Sequence, residues 1–215
     1  MYQSHFTFKT PPFRKVTRLS GDFLVPYHQD VFNLLKEKTQ QAGICGLFSD
    51  DTSLLGQFSD ALKNSDNRVF AINAFPKLSA SSLLYKLSPD TKAIASRIQA
   101  VDTVLQQWQA GKTQATVLVI SHTEAMKETC RTVLGMLLTR AQELGCHLSV
   151  VLTGAENQVA LLQQSDLREY VHTHHTLRPL TCREYLSYVQ AQCEEHGGES
   201  SPLSPARVRK MHAMT

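Results

Sequence analysis

Thr116-Val117-Leu118-Val119-Ile120 decides the fold. All five residues are uncharged and four are β-branched, the composition of a strand buried on both faces of a parallel sheet. The residues that follow, Ser121-His122-Thr123-Glu124, turn abruptly polar. On the N-terminal side, 94–109 is amphipathic, with Ile94, Ile98, Val101, Leu105 and Trp108 expected on one buried face. On the C-terminal side, 124–144 reads as a long helix carrying Val133, Leu134, Leu137 and Leu138. Further out the alternation continues. Strands are expected at 44–48, 68–73, 147–153 and 171–177, and helical spacing at 27–41, 54–63, 79–87, 158–164 and 167–170. Thr181-Cys182-Arg183-Glu184 is a capping box, Thr with Glu three residues on, and opens a last long helix. Strands alternating with helices predict a doubly wound α/β parallel sheet with helices on both faces. Ligands of such sheets bind beyond the carboxyl ends of the strands, so 49–53, 121–124 and 154–157 are the loops that matter.

The chain has 215 residues, enough for one large domain, and its 22 Lys+Arg against 19 Asp+Glu give a formal charge of +3. With 42% hydrophobic and 19% charged residues, the composition is globular and excludes wholesale disorder. No apolar run reaches the roughly 18–20 residues of a membrane span. The opening Met1-Tyr2-Gln3-Ser4-His5-Phe6 lacks the basic and apolar regions of a signal peptide. The five cysteines, 45, 130, 146, 182 and 193, form no C-x-x-C pair and fit reduced thiols better than a disulfide frame or a zinc site. The charge balance alone does not argue for nucleic acid.

Other candidates carry less chemistry. His172 and His174 share one strand face beside His175, a start toward a Zn²⁺ or Ni²⁺ site, but no third ligand has matching spacing, so no metal is expected. Cys45 and Cys146 need a base to act as nucleophiles, with His122 or His147 available by topology; the plainer reading is a small apolar residue near a buried strand. Ser121-His122-Thr123-Glu124 invites a hydrolase reading, yet adjacent side chains point apart and no nucleophile-elbow glycines flank it. Gly111-Lys112-Thr113 spells the end of a phosphate loop, but the position of its required earlier glycine is Gln106 and it precedes a strand. Basic residues gather at Arg207, Arg209 and Lys210 and at Lys9, Arg14, Lys15 and Arg18, as a solvated face or as contacts to an acidic partner, DNA or lipid headgroups.

Three stretches together carry a resemblance. They are Met1-Tyr2 with Phe6 and Pro12-Phe13; the strand 116–120; and Val151-Leu152-Thr153-Gly154 followed by Asp166-Leu167-Arg168, Thr176-Leu177-Arg178-Pro179-Leu180-Thr181 and Glu184. In order and spacing they resemble the ExeA/GspA-type AAA+ ATPases of type II secretion and MSHA-type pilus assembly, over residues 1 to about 190. The resemblance implies a P-loop NTPase-like (AAA+) fold. It also implies a Walker A loop, G-x-x-x-x-G-K-[ST], whose amides, Lys and hydroxyl hold phosphate and Mg²⁺. Laid on this chain without gaps, that loop covers 49–56. Ser49 stands for the first glycine, Asp50 and Asp51 lie within, Leu54 replaces the second glycine, Leu55 the lysine, and Gly56 the Mg²⁺ hydroxyl. Leucine brings no charge, and two aspartates repel a polyphosphate. The family's Asp-Glu pair falls at Ser121 and His122, its sensor at Ala155, and its finger arginines at Tyr170 and His174.

The resemblance therefore implies a degenerate member, with no catalytic residue, no cofactor and no small-molecule substrate. Its expected organisation is an arm at 1–26 packed on the body, a degenerate AAA+ domain at 27–196, and a linker with the start of a truncated helical lid at 197–215. The expected role is a catalytically inactive pseudo-ATPase domain, serving as a protein-interaction or assembly scaffold in a bacterial secretion or pilus-type envelope machine. Its partners would be proteins of that complex, with membrane contact only through a missing C-terminal segment. The location would be cytoplasmic, including as the cytoplasmic domain of an inner-membrane-associated protein. Two alternatives stay open: a nucleic-acid-associated AAA+-like regulator of transposition or replication, and an NTPase with a rebuilt site.

Overall fold

A computed structural model describes residues 25–63, 68–110, 115–195, 204, 206, 209 and 210. The aromatic anchors of the N-terminal arm, the Gly111-Lys112-Thr113 segment and the 197–202 linker lie outside the described residues. Backbone contacts gather the chain into two units, Leu34–Leu177 and a second made of Met1–Asn33 with Arg178–Thr215.

The larger unit is the parallel sheet. In chain order its elements are the end of α1 (Pro26–Lys38), β1 (Gly43–Phe48), α2 (Thr52–Lys63), β2 (Arg68–Asn73), α3 (Ala80–Leu87), α4 (Arg97–Ala110), β3 (Thr116–Ser121), α5 (Glu128–Glu143), β4 (Leu148–Gly154), α6 (Gln158–Gln164) and β5 (Val171–Thr176). Short 3-10 turns stand at Pro89–Ala93, Thr123–Ala125 and Arg168–Tyr170. The strand order is β2-β3-β4-β1-β5, all parallel. Every residue of β4 and β1 is buried, and β3 is buried up to its last residue, which is why those three segments read as continuous apolar runs. The edge strand β5 instead alternates, with His172, His174 and Thr176 exposed.

Alternation within the strands divides the interior in two. Ile44, Phe48, Leu118, Ile120, Val150 and Leu152 face one core, filled from α3, α4, α5 and α6 by residues such as Leu83, Leu105, Leu134 and Leu162. Cys45, Leu47, Val117, Val119 and Val151 are buried on the opposite face, and α2 packs against β2, β3 and β4 with Leu55, Phe58 and Leu62 buried. Each such side chain contributes roughly 1.5–3 kcal/mol of burial. This partition follows from topology. The chain leaves β1 toward the far edge strand β2, whereas it leaves β4 in the other direction to reach β5. Right-handed crossovers then put the two connections on opposite faces. The crevice between the carboxyl ends of β1 and β4 is the switch point where such sheets bind ligands.

Two helical expectations need correction. Ile98 is 57% exposed, not on the buried face of α4. The buried stripe is Ala100, Val101, Val104, Leu105 and Trp108, and Ile98 lies roughly 90° around the helix from its centre. The helix expected to start at Glu124 starts at Glu128, after a separate turn at Thr123–Ala125.

The amino ends of the strands are tied down. His147 Nε2 donates to Thr39 O at 3.2 Å, and His172 Nε2 donates to Ala42 O. Both imidazoles thus hold the turn leading into β1. The register of β5 slips at His172, which is left as a bulge opposite Ile44 and Cys45. Gly43 adopts φ +129°, and a Cβ there would overlap the His172 ring and stand 2.8 Å from Tyr170 O. No side chain fits in that conformation and space.

Within the smaller unit, the capping box expected at Thr181 forms at the head of α7 (Cys182–Glu195). Thr181 N and Oγ1 donate to Glu184 Oε2 at 2.8 and 2.7 Å, and Glu184 N donates back to Thr181 Oγ1 at 3.3 Å. Arg178 meets the same carboxylate bidentately at 2.8 and 2.7 Å, with its guanidinium 4.0 Å from the centre of the Tyr27 ring. Hydrogen bonds from Arg178, then from the Thr181 amide and hydroxyl, hold the Glu184 carboxyl far below the usual carboxylate range.

Candidate functional site

The switch-point crevice is built from the loops after β1, β3 and β4. Only Ser49, Asp50 and Asp51 separate β1 from α2, so the helix begins at Thr52, ahead of the positions where the Walker register puts the second glycine and lysine. Asp51 is its cap. Leu54 N donates to Asp51 Oδ1 at 3.1 Å, Leu55 N to Asp51 O at 3.2 Å, and Asp51 N to Ser49 Oγ at 3.0 Å. A helix N-terminus offers amides and a positive dipole end to an anion. Here the chain supplies that anion itself. Leu55, at the lysine position, is buried in α2, and Gly56 is exposed with open space around it.

At the end of β3, Ser121 places its hydroxyl 3.5 Å from that of Ser59 on α2. His122 follows at φ 60°, ψ 49°, the sole non-glycine residue with positive φ among the described residues. That conformation is strained for an L-residue, though histidine visits it more readily than most. It turns the chain so that Glu124 comes back over Gly154, and His122 Nδ1 lies 3.3 Å from Glu124 Oε1. A Cβ on Gly154 would stand 2.5 Å from Thr123 Oγ1 and 2.7 Å from Glu124 Oε2, so glycine is what lets this turn close on β4. Gly154 O in turn accepts from Ser49 N at 3.0 Å, which joins the loops after β1 and β4. Ala155 follows β4 half-buried, with Glu156 exposed beside it.

The remaining sequence candidates do not converge on this crevice. Tyr170 precedes β5, at the amino end of the sheet, and its hydroxyl meets Thr139 Oγ1 at 2.7 Å. His174 sits mid-strand opposite Gly46. Among the described residues, no three His, Cys, Asp or Glu side chains come together as a metal site. Cys45 lies on the buried face of β1, where desolvation pushes its thiol up to about 11, the reverse of an activated nucleophile. The Asp51 cap and the return of Glu124 were missed by sequence reasoning. The first had a signal: Asp directly before an apolar periodicity at 54, 55, 58 and 62 is a helix start.

No protein-family model and no curated protein matches the chain. Solved structures do. Cdc6p from Pyrobaculum aerophilum matches over 99% of this chain with TM-score 0.66 at 15% identity, and 58% of that chain is covered. ORC1 from Aeropyrum pernix, solved in complex with DNA, matches over 93% with TM-score 0.63 at 10% identity, and 57% of it is covered. ORC2 from the same organism, in ADPNP-ADP complexes, matches over 89% with TM-score 0.60 at 10% identity and 58% coverage. This chain therefore spans a little over half the length of those proteins. At such identities the likeness establishes the fold: the chain has a P-loop NTPase-like α/β fold of the AAA+ kind, shared with ORC/Cdc6 proteins.

Proposed function

We propose that this chain is a nucleotide-independent AAA+-like domain that acts by binding proteins, as an assembly or scaffold component. The observation that carries the reading is the Asp51 cap: the Leu54 amide already holds the Asp51 carboxylate, the Leu55 amide holds the Asp51 carbonyl, and Leu54 and Leu55 stand where phosphate binding needs glycine and lysine. An incoming polyphosphate would have to displace Asp51 and lie beside Asp50, against like-charge repulsion and without a lysine to offset it. The carboxyl end of β3 adds Ser121 and His122 at the places the resemblance gives to Mg²⁺-holding and water-orienting carboxylates, which supports the reading of a domain without NTPase activity. The resemblance of the motifs at 1–13, 116–120 and 151–184 to ExeA/GspA-type proteins supports a cytoplasmic place in a bacterial secretion or pilus-type machine. Calorimetric titration of ATP and ADP with Mg²⁺ tests the reading, since it detects binding as weak as about −5 to −6 kcal/mol. No heat is expected; saturable micromolar binding would return an NTPase with a rebuilt site to first place.

A second reading has its own support. Solved structures that share this fold include ORC/Cdc6 proteins, several of them in complex with DNA. A nucleic-acid-associated role is consistent with that likeness and with exposed Arg209 and Lys210. DNA binding whose affinity falls steeply with salt would favour it.

A further inference from the structure

We propose that the crossover from β2 to β3 is a docking surface for an anionic lipid bilayer. Lys77, Lys86, Lys92 and Arg97 meet the headgroups, and Phe75, Tyr85 and Ile98 enter the boundary with the acyl chains. The inference goes beyond the scaffold reading and does not depend on it.

Charge is the first observation. Residues 68–101 hold five Lys or Arg and one acid, Asp90, so this crossover carries more positive charge than the formal +3 of the whole chain. Asp90 is itself engaged, its Oδ2 accepting from Gln107 Nε2. The four cations from Lys77 to Arg97 are exposed, and none of them meets a carboxylate among the described residues. The exposed acids at the carboxyl end of the sheet, Asp50, Asp51, Glu124 and Glu156, stand on the loops after β1, β3 and β4, whereas the crossover leaves the edge strand β2.

The second observation is apolar. Four large hydrophobic side chains are exposed among the described residues, and three of them, Phe75, Tyr85 and Ile98, belong to this one crossover. Each stands within two residues of a cation: Phe75 by Lys77, Tyr85 by Lys86, Ile98 by Arg97. Their exposure follows from local structure. Ala74 N donates to Ser121 O at 2.8 Å and Cys130 Sγ to Leu78 O at 3.4 Å, which pins 74–78 between the end of β3 and the first turn of α5. α3 then turns Ala80, Leu83, Leu84 and Leu87 into the core and leaves Tyr85 and Lys86 outside. It is only about 12 Å long and packs on both the Pro89–Ala93 turn and α4, so these side chains belong to one layer of the surface.

Exposed apolar side chains set among polar ones mark an interaction surface. A bilayer with anionic lipid matches both halves of this one: its surface potential attracts Lys and Arg, and the headgroup boundary takes up apolar side chains. Phe75 and Ile98 carry no polar side-chain atom, and Tyr85 has a polar tip on an apolar ring, the amphipathic form that suits such a boundary. Single-stranded nucleic acid would use the cations and stack bases on Phe75 and Tyr85, but it leaves Ile98 without a partner.

The test is co-sedimentation of the full chain with vesicles of phosphatidylcholine alone and of phosphatidylcholine mixed with phosphatidylglycerol. Binding to the mixed vesicles only is expected, and high salt abolishes it. Lys86→Gln and Arg97→Gln each weaken it roughly three- to fivefold. Phe75→Ser and Ile98→Ser weaken it by about three- to tenfold at unchanged charge. Arg168→Gln removes the same charge from an exposed residue before β5 and leaves binding unchanged. All of these positions are exposed, so the urea midpoints stay at the wild-type value and folded proteins are compared. No binding to the mixed vesicles, equal binding to phosphatidylcholine, or an equal loss in Arg168→Gln would overturn the proposal. So would oligo-dT bound through Lys86 and Arg97 by a chain that ignores the vesicles, which would assign the surface to nucleic acid. Titration with Mg·ATP tests the nucleotide-independent reading separately.

Discussion

The two ends of the parallel sheet are made differently. At the amino end, His147 and His172 reach across to the turn before β1, and Gly43 sits in a conformation and a space that admit no side chain. The two imidazoles there hold the turn before β1, while Ser149 Oγ on β4, opposite Gly43, is buried without a partner. At the carboxyl end, Asp51 closes the helix that a phosphate would otherwise meet, His122 is strained, Thr123 Oγ1 lacks a partner, and four carboxylates face solvent. The amino end is thus closed by imidazoles bonded to backbone carbonyls, and the carboxyl end by a helix cap and a left-handed turn.

Substitutions separate the two ends by size and sign. Gly43→Ala at the amino end combines a disallowed φ with overlap on His172 and Tyr170, and should destabilise by about 2–4 kcal/mol in urea unfolding. A loss below ~1 kcal/mol would mean the amino end is not rigid. Asp51→Ala at the carboxyl end removes a helix cap and should cost about 1 kcal/mol, without conferring Mg·ATP binding, because Leu55 still replaces the lysine. His122→Gly should show the smallest effect and the opposite sign. It relieves the left-handed conformation and stabilises by up to about 1 kcal/mol, less the entropy that glycine adds to the unfolded chain. A destabilised His122→Gly would mean that the His122–Glu124 contact, rather than the turn, holds this end together.

Much of the fold could be read from sequence because the parallel strands are buried on both faces. Segments 44–48, 116–120 and 147–153 stand out as apolar runs, and the polar residues at 49–51, 121–124 and 155–157 mark their carboxyl ends. The short helices could be read where a cap residue and a periodicity agree, as at Ser79, whose hydroxyl accepts from Ser82 N at 3.1 Å, and at Thr181. The break between Glu124 and Glu128 could not. Neither proline nor glycine interrupts that stretch, Lys127 caps α5 without a side-chain bond, and the break is the extended backbone of Met126 and Lys127 between the Thr123–Ala125 turn and the helix. The absence of a Walker A glycine and lysine at 54 and 55 in the gap-free register was legible position by position. What replaces them was not, because a carboxylate folding onto its own helix and an acid returning over Gly154 are tertiary facts that residue spacing does not encode.

The measurement closest to the central claim is an amide-resolved titration of the full chain with Mg·ATP, read at Leu54 and Leu55. Their N–H groups are bonded to Asp51, to its carboxylate and carbonyl respectively, so the account predicts that neither resonance moves as nucleotide is added. Saturable shifts at both amides, with Asp51 displaced, would show that the start of α2 takes phosphate and would contradict the account.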